Sequence, residues 1–403
     1  MYIEQLSLRE FRNYRRLDVA LPSGLLLFVG GNAQGKSNLL EAIYLLATTR
    51  SVRAGSEGEL VNWEAAREPP AVARLVGTVR RRDRTVQVEV AITPRPTNAD
   101  ARDGVLGRLP ASKRLRVNGV ARRASDTVGQ MTAVLFTTQD IDLVGGAPSV
   151  RRRYLDITLS QVDPAYLRAL QRYGKVVVQR NALLRRIQEG AATFDQLSFW
   201  DEEMAREGGY IAASRGRAVA ALSVLARETH LALSGGEEEL ALVYQPQLSR
   251  AWDGERVAAA SAEELASALL QALTSGRQRD VAAGVSLTGP HRDDLLFILN
   301  GMPAAAFASR GQQRTAALAL RLAEARFLLK RSGEYPVLLL DDVLSELDES
   351  RRRRIMAAAL EFEQVLITSV DADRFDRTGA HLYRVAAGQV EPLTGPGDGG
   401  GVQ

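Results

Sequence analysis

An α/β fold with a sheet that opens into a phosphate-type loop, interrupted by a mostly helical second lobe, is predicted by three observations in the 403-residue chain. The apolar run Leu25 to Val29 ends in Gly30-Gly31 and leads into a helical pattern at Ser37. A second apolar run, Val337 to Leu340, ends in Asp341-Asp342. Between them, from about Pro148 to Ala283, the composition turns to Ala, Leu, Arg and Glu at helical spacing. Two strand-rich segments flanking a helical one make a discontinuous first lobe, here residues 1–147 with 284–394, around a helical lobe at 148–283.

Ile3 to Leu8 and Leu17 to Leu21 alternate polar and apolar residues and read as strands before the buried strand Leu25 to Val29. After the loop, Asn38-Leu39-Leu40-Glu41-Ala42-Ile43 continues at helical spacing. Val72 to Ile92 alternates again, with Val86, Val88 and Val90 on one face, as in antiparallel strands. Thr93 to Arg116, rich in Pro, Gly and charge, reads as loops around a hairpin closed by Asn118-Gly119. Glycines at 190, 208, 209, 235 and 236 interrupt the helical lobe and preclude a sustained heptad seam. Strand signals return at Leu295 to Leu299, Val337 to Leu340 and Val365 to Thr368, and the Gly-rich 395–403 reads as a disordered tail.

The 45% apolar content supplies a core, and the absence of cysteine excludes disulfides, thiol nucleophiles and Cys-based zinc sites. The three scattered histidines lack metal-ligand spacing. No secretory signal or apolar run of membrane-spanning length is present, so a cytoplasmic location without membrane partners is expected. Lys+Arg of 52 against Asp+Glu of 48 leaves only +4, yet arginines cluster at 80–82, 114–123, 151–153 and 351–354. Each run alone reads as a solvated face; several together favour nucleic acid.

Gly30-Gly31-Asn32-Ala33-Gln34-Gly35-Lys36-Ser37 matches the phosphate-loop pattern in full, between a strand and a helix. Its backbone N–H groups and the helix amino terminus suit the phosphates of ATP, Lys36 adds a point charge, and Ser37 offers a hydroxyl to Mg2+. Asp341, at the end of an apolar strand, is the metal-side carboxylate, and Asp342 is placed to orient or deprotonate a water. Roughly 300 residues separate Lys36 from Asp341, more than a minimal phosphate-loop enzyme needs, which requires the insertion. Upstream of the acidic strand, Ser309, Gly311 and Gln312 resemble the Ser, Gly and Gln of the ABC signature motif; a serine there is equally a helix cap. Ser345-Glu346-Leu347-Asp348 looks like the D-loop. Together these elements resemble ABC-type ATPases, in which the signature of one subunit completes the ATP site of another.

The resemblance then narrows to the RecF family. It is carried by Leu8 to Tyr14, Asn38 to Ile43, Arg151 to Asp156, Thr288-Gly289-Pro290-His291-Arg292-Asp293-Asp294-Leu295, Asn300-Gly301 and Gly311 to Leu320. It spans nearly the whole chain apart from the variable helices and the tail. It implies a Rad50- or SMC-like head with a helical second lobe, an ATP-dependent homodimer, and sequence-independent binding to duplex DNA or single-strand/duplex junctions. It further implies recombinase loading at gaps with RecO- and RecR-type mediators, in support of repair, replication and the SOS response.

Two departures from most ABC enzymes bear on the chemistry. Asp342 stands where most carry Glu, and Ile367-Thr368-Ser369-Val370-Asp371 lacks the usual switch histidine, so slow hydrolysis is expected. Gln139 is a candidate contact for metal or water, or an exposed loop residue; Arg12 is a nucleotide contact by its place in the family, or a surface charge. Arg151 to Arg153 face phosphates or tie structural elements together. Among rivals, a transporter motor lacks a membrane-docking segment here, a full SMC or Rad50 protein needs coils this chain lacks, and an idle nucleotide-binding scaffold would dimerise without turnover.

Overall fold

The computed structural model describes residues 1–67, 71–94, 111–344, 349–371 and 379–393. The D-loop segment 345–348 and the tail 395–403 lie outside them. In chain order the strands are β1 (Tyr2–Phe11), β2 (Tyr14–Ala20), β3 (Gly24–Val29), β4 (Ala73–Arg80), β5 (Thr85–Pro94), β6 (Ala111–Val117), β7 (Val120–Arg122), β8 (Ala133–Thr137), β9 (Leu240–Gln245), β10 (Asp294–Leu299), β11 (Met302–Pro303), β12 (Val337–Asp341), β13 (Gln364–Ser369), β14 (His381–Ala386) and β15 (Gln389–Pro392). The longer helices are α1 (Lys36–Thr48), α2 (Pro148–Ser160), α3 (Pro164–Gln188), α4 (Leu197–Ser234), α5 (Ala262–Ala283), α6 (Arg310–Ser332) and α7 (Glu349–Ala359). Among the described residues no helix is long and apolar enough to cross a membrane.

Two compact units partition the chain: Met1–Thr138 with Leu328–Gln403, and Gln139–Phe327. The first holds two six-stranded sheets. One is antiparallel, ordered β2-β1-β4-β5-β6-β7, and the other runs β15-β14-β3-β13-β12-β8 with every pairing parallel except β14 with β15. Alternation in β1, β4 and β5 puts Leu6, Leu8, Leu75, Val79, Val86, Val88 and Val90 on one buried face. α1 packs between this face and the parallel sheet, touching β4 and β5 on one side and β8, β12 and β13 on the other. Covered on both sides, α1 is apolar all round: Leu39, Leu40, Ile43, Leu45 and Leu46 are buried. The parallel strands are continuous apolar runs for the same reason, Val337 to Leu340 being wholly buried.

The hairpin expected at Asn118-Gly119 is present. Both residues take positive φ (50° and 78°), which matches the twist of a two-residue turn between β6 and β7. Ala111 to Arg116, read from the sequence as loop, instead forms most of β6, because Leu115 and Val117 pair with Val90 and Val88.

The second unit combines α2 to α5 with a three-stranded antiparallel sheet, β11-β10-β9. Fully buried Arg180 on α3 donates to Asp201 of α4 and Asp280 of α5, each at 2.7 Å, and to Ser286 at 2.8 Å. Arg215 of α4 donates to Asp156 of α2 (2.8 Å) and to the Pro290 carbonyl (2.6 Å). Arg151 of α2 forks onto both oxygens of Asp294 at 2.6 and 2.8 Å. Arg152 donates to the Asp293 carbonyl at 2.8 Å. The segment Thr288 to Asp294 is thereby stitched to α2 and α4, and β10 belongs to the same compact unit as the helices it follows. Such paired buried ions hold one arrangement of helices, since removing a partner strands a charge.

Candidate nucleotide site

At the carboxyl ends of the parallel strands, the register aligns Asp341 with Thr368 on β13 and with Thr137 on β8, and Ser369 with Val29, the last residue before the Gly-rich loop. Open α/β sheets present ligand crevices at this edge. The Ser37 hydroxyl, in the first turn of α1, donates to Asp341 Oδ1 at 2.7 Å. The buried Thr368 hydroxyl donates to the same oxygen at 2.9 Å and accepts the Asp342 N–H at 3.0 Å. Thr368 therefore fixes both acidic residues at once. Asp342 sits at φ 55°, a left-handed conformation that Asp adopts more readily than most residues and that marks a sharp exit from the strand.

The loop is clamped from two sides. Asn13 donates to the Gln34 carbonyl (3.0 Å) and Tyr14 to the Gly35 carbonyl (2.9 Å) from the β1–β2 turn. From the β14–β15 turn, the Ala387 N–H donates to the Gln34 side chain at 2.7 Å and the Gly388 N–H to its carbonyl at 3.2 Å. These close approaches leave no room for side chains. A Cβ on Gly30 would lie 2.1 Å from the Val385 carbonyl, and one on Gly35, at φ 115°, would lie 2.6 Å from Asn13. Gly31 is different, its nearest neighbour being Gln34 Cγ at 3.8 Å. Asn32, Ala33 and Gln34 form the outer arc, Ala33 at φ 61°.

Lys36 donates to the Gly30 and Gly31 carbonyls at 2.7 and 2.8 Å, holding its ammonium across the loop. Burial pushes its pKa down from the ordinary lysine value, opposed by Asp342 and Asp341. The oxygen donors of Ser37 and Asp341 suit a hard, hydrated cation. Among the described residues no cluster of three or more His, Asp or Glu is placed to hold a metal alone.

Arg12, at φ 52°, forks onto both oxygens of Glu41 at 2.9 and 3.0 Å and reaches the Glu59 carbonyl at 3.0 Å. Glu41 is buried on α1 one turn past Ser37 and also contacts Arg53 at 3.5 Å. Gln139 follows β8 in an exposed short turn. Ser309 is exposed and caps α6: its hydroxyl accepts the Gln312 N–H at 3.2 Å while Gln312 Oε1 accepts the Ser309 N–H at 2.8 Å. This reciprocal pair satisfies two orphan donors of the helix terminus. Gly311 is half-buried in the first turn. The structure thus brings together the glycine loop, Lys36, Ser37, Asp341 and Asp342, and places Ser309, Gly311 and Gln312 together at one helix end. Sequence reasoning missed Thr368, Asn13 and Tyr14 as site residues; a hydroxyl at the end of the strand beside the acidic one was the available signal for the first.

Residues 2–391 match the family model described as the RecF/RecN/SMC N terminal domain. The DNA replication and repair protein RecF of Roseiflexus castenholzii is 45% identical over 402 residues, covering 97% of this chain and all of that one. The chain belongs to the RecF family. The same-named protein of Chloroflexus aurantiacus is also 45% identical, over 97% of this chain. Among solved structures, the recombination mediator protein RecF with ATP, of the RecFOR pathway, superposes with a TM-score of 0.84 at 31% identity, over 98% of both chains. An Smc head domain from Pyrococcus furiosus gives 0.52 at 16% identity, a likeness of fold. The family's α/β fold is thus the ABC-type, SMC-head-like one expected from the sequence.

Proposed function

We propose that this chain binds ATP with Mg2+ in the glycine loop, dimerises in that state, and acts on DNA in recombinational repair. The observation that carries the reading is the convergence of Ser37, Asp341 and Thr368 beside the clamped loop. Ser37 and Asp341 hold Mg2+, which supplies charge neutralisation at the phosphates. The loop N–H groups and Lys36 bind the phosphates, and Asp342 orients the attacking water. Arg12 acts on the nucleotide side through Glu41 and α1, and Gln139 is retained as a polar contact for the same water or metal.

Ser309, Gly311 and Gln312 present an exposed helix amino terminus, whose positive end suits the γ-phosphate held by a second copy. One methylene less at Asp342 than a glutamate, and Thr368-Ser369 in place of a histidine, make hydrolysis slow, so that ATP serves mainly as a dimerisation switch. DNA binding is sequence-independent, at duplexes and single-strand/duplex junctions. Relatives are named for DNA replication and repair and for the RecFOR pathway; extending that by the family resemblance, the protein works in the cytoplasm with RecO- and RecR-type mediators to load recombinase, supporting replication and the SOS response.

Sedimentation with a labelled gapped duplex, with and without ATP, tests this reading. A two-subunit complex that needs ATP supports it; a monomer whose DNA binding ignores ATP overturns it.

A further inference from the structure

The outward face of the antiparallel sheet carries a row of arginines. Register places Arg16 (β2), Arg9 (β1), Arg74 (β4), Ala91 (β5) and Arg114 (β6) side by side across five strands. The adjoining row reads Asp18, Ser7, Val76, Glu89 and Arg116, and the next includes Gln5, Thr78 and Gln87. The opposite face of the same strands is the buried one against α1, so these side chains point away from the core. Arg16 is 77% exposed, Arg74 53% and Arg9 34%, and Arg114 is exposed as well.

Like charges directly opposite one another destabilise a sheet, yet three arginines stand in successive opposed positions here. Part of the repulsion is offset from the next row. Arg9 contacts Asp18 at 2.8 Å, and Arg74 contacts Glu89 at 2.9 Å. The two carboxylates are outnumbered by the five arginines of these rows. An arrangement that costs stability and leaves a net positive strip points to an anionic partner.

We propose that this face holds the sugar-phosphate backbone of duplex DNA. The inference rests on the DNA-binding reading above and assigns it a surface. At a strand spacing of about 4.8 Å the arginine row spans about 19 Å, more than half of a helical turn of duplex at about 34 Å. Beside it the sheet forms a depression of about 390 Å³ lined by Gln5, Ser7, Val76, Thr78 and Gln87 among others. Hydroxyls and amides of this kind donate to phosphate and sugar oxygens and read no sequence. An anionic membrane would also meet the arginines, but membrane-surface elements add aromatic or large aliphatic anchors, and Val76 is the one large aliphatic side chain in these three rows.

The test is equilibrium binding of a labelled duplex to the ATP-Mg2+ form across a salt series, for wild type and for Arg16→Gln/Arg74→Gln/Arg114→Gln. A variant with Arg168→Gln/Arg250→Gln/Arg279→Gln removes the same charge from exposed positions of the other unit. The row variant loses more than tenfold in affinity, and its log-log salt slope becomes shallower by about 2.7, the value for three phosphate contacts. The other variant stays near wild type. Arg→Lys at the three row positions keeps the charge and most of the affinity, and thermal unfolding of each protein separates lost contacts from lost fold. Row and distant variants that weaken binding equally, or a row variant that binds like wild type, would overturn the assignment while leaving the DNA-binding function standing. Wild type that binds no duplex would overturn the function itself. Stronger capture by phosphatidylserine vesicles than by duplex, abolished by the row variant, would overturn DNA as the occupant.

Discussion

Ser37 donates its hydroxyl to Asp341 Oδ1 at 2.7 Å although the two lie 304 residues apart in the chain. That bond joins two halves of the nucleotide site between which the whole second unit is inserted in the chain. Thr368 completes the arrangement by gripping Asp341 with its hydroxyl and the Asp342 backbone with its lone pair.

Thr368→Val is therefore expected to cost about 1–2 kcal/mol of stability, because it leaves the Asp342 N–H without its acceptor. The larger effect is on Mg2+-dependent ATP binding, since Asp341 loses the second of its two hydroxyl donors. Titration of a fluorescent ATP analogue with and without Mg2+ reads this directly: the metal-dependent part of the affinity falls and the metal-independent part does not. Equal loss in both would mean that Thr368 only supports the fold.

Gly30 and Gly31 are adjacent but predict opposite results. Gly30→Ala forces a Cβ into the Val385 carbonyl, so β14 or the loop must move, and destabilisation above about 2 kcal/mol is expected. Gly31→Ala meets only Gln34 Cγ, at an ordinary van der Waals distance of 3.8 Å, and stays within about 0.5 kcal/mol of wild type. Chemical denaturation of the two variants checks the contrast; similar midpoints would refute the clamp described for the loop.

The glycine loop and the acidic strand were legible because their chemistry sits in contiguous residues: an apolar strand, then Gly30 to Ser37, and another, then Asp341-Asp342. Thr368, Asn13 and Tyr14 were not, since their roles depend on which strand lies beside which, and that register is set by tertiary packing. β9 was likewise hidden inside the helical segment, although Leu240, Leu242 and Tyr244 are buried in strict alternation. Arg12 could be read as either nucleotide contact or surface charge; the structure pairs it with buried Glu41, a partner one turn along α1 from Ser37 that no local pattern reveals. The role of Thr288 to Asp294 rested on resemblance, and its physical basis is the set of ion pairs from α2 and α4.

His291 gives the second unit a pH dependence. Its Nε2 lies 2.9 Å from the Ser286 carbonyl and its Nδ1 2.8 Å from the Tyr173 hydroxyl, a set satisfied by the neutral ring with the proton on Nε2. Burial lowers its pKa from 6.5 to about 4. The unfolded ring takes up a proton near pH 6.5 and the folded ring resists until about 4, so this contribution is complete above pH 6.5 and is lost as pH falls through that window. The full span corresponds to about 3 kcal/mol. Denaturation of wild type and His291→Gln at several pH values checks it: the wild-type stability falls more steeply between these limits, and parallel curves would refute the assignment.

Arg180 is fully buried among Asp201, Asp280 and Ser286. Arg180→Met strands Asp280 and leaves Asp201 to Arg277 alone, so a loss of about 3–5 kcal/mol is expected. Adding Asp280→Asn to Arg180→Met removes the stranded charge and recovers part of that loss, measured as a double-mutant cycle by thermal unfolding. Strict additivity would show that the two residues do not act as a pair.

In the proposed dimer, one subunit's loop and another's Ser309 make one ATP site. Light-scattering mass measurement in ATP and Mg2+ tests it with Lys36→Ala, Ser309→Arg and an equimolar mixture of the two. Each variant alone lacks every intact site and stays monomeric, whereas the mixed pair retains one intact loop facing one intact Ser309 and recovers dimer. Dimerisation of Ser309→Arg alone at the wild-type level, or a mixture that remains monomeric while wild type dimerises, would contradict the composite site.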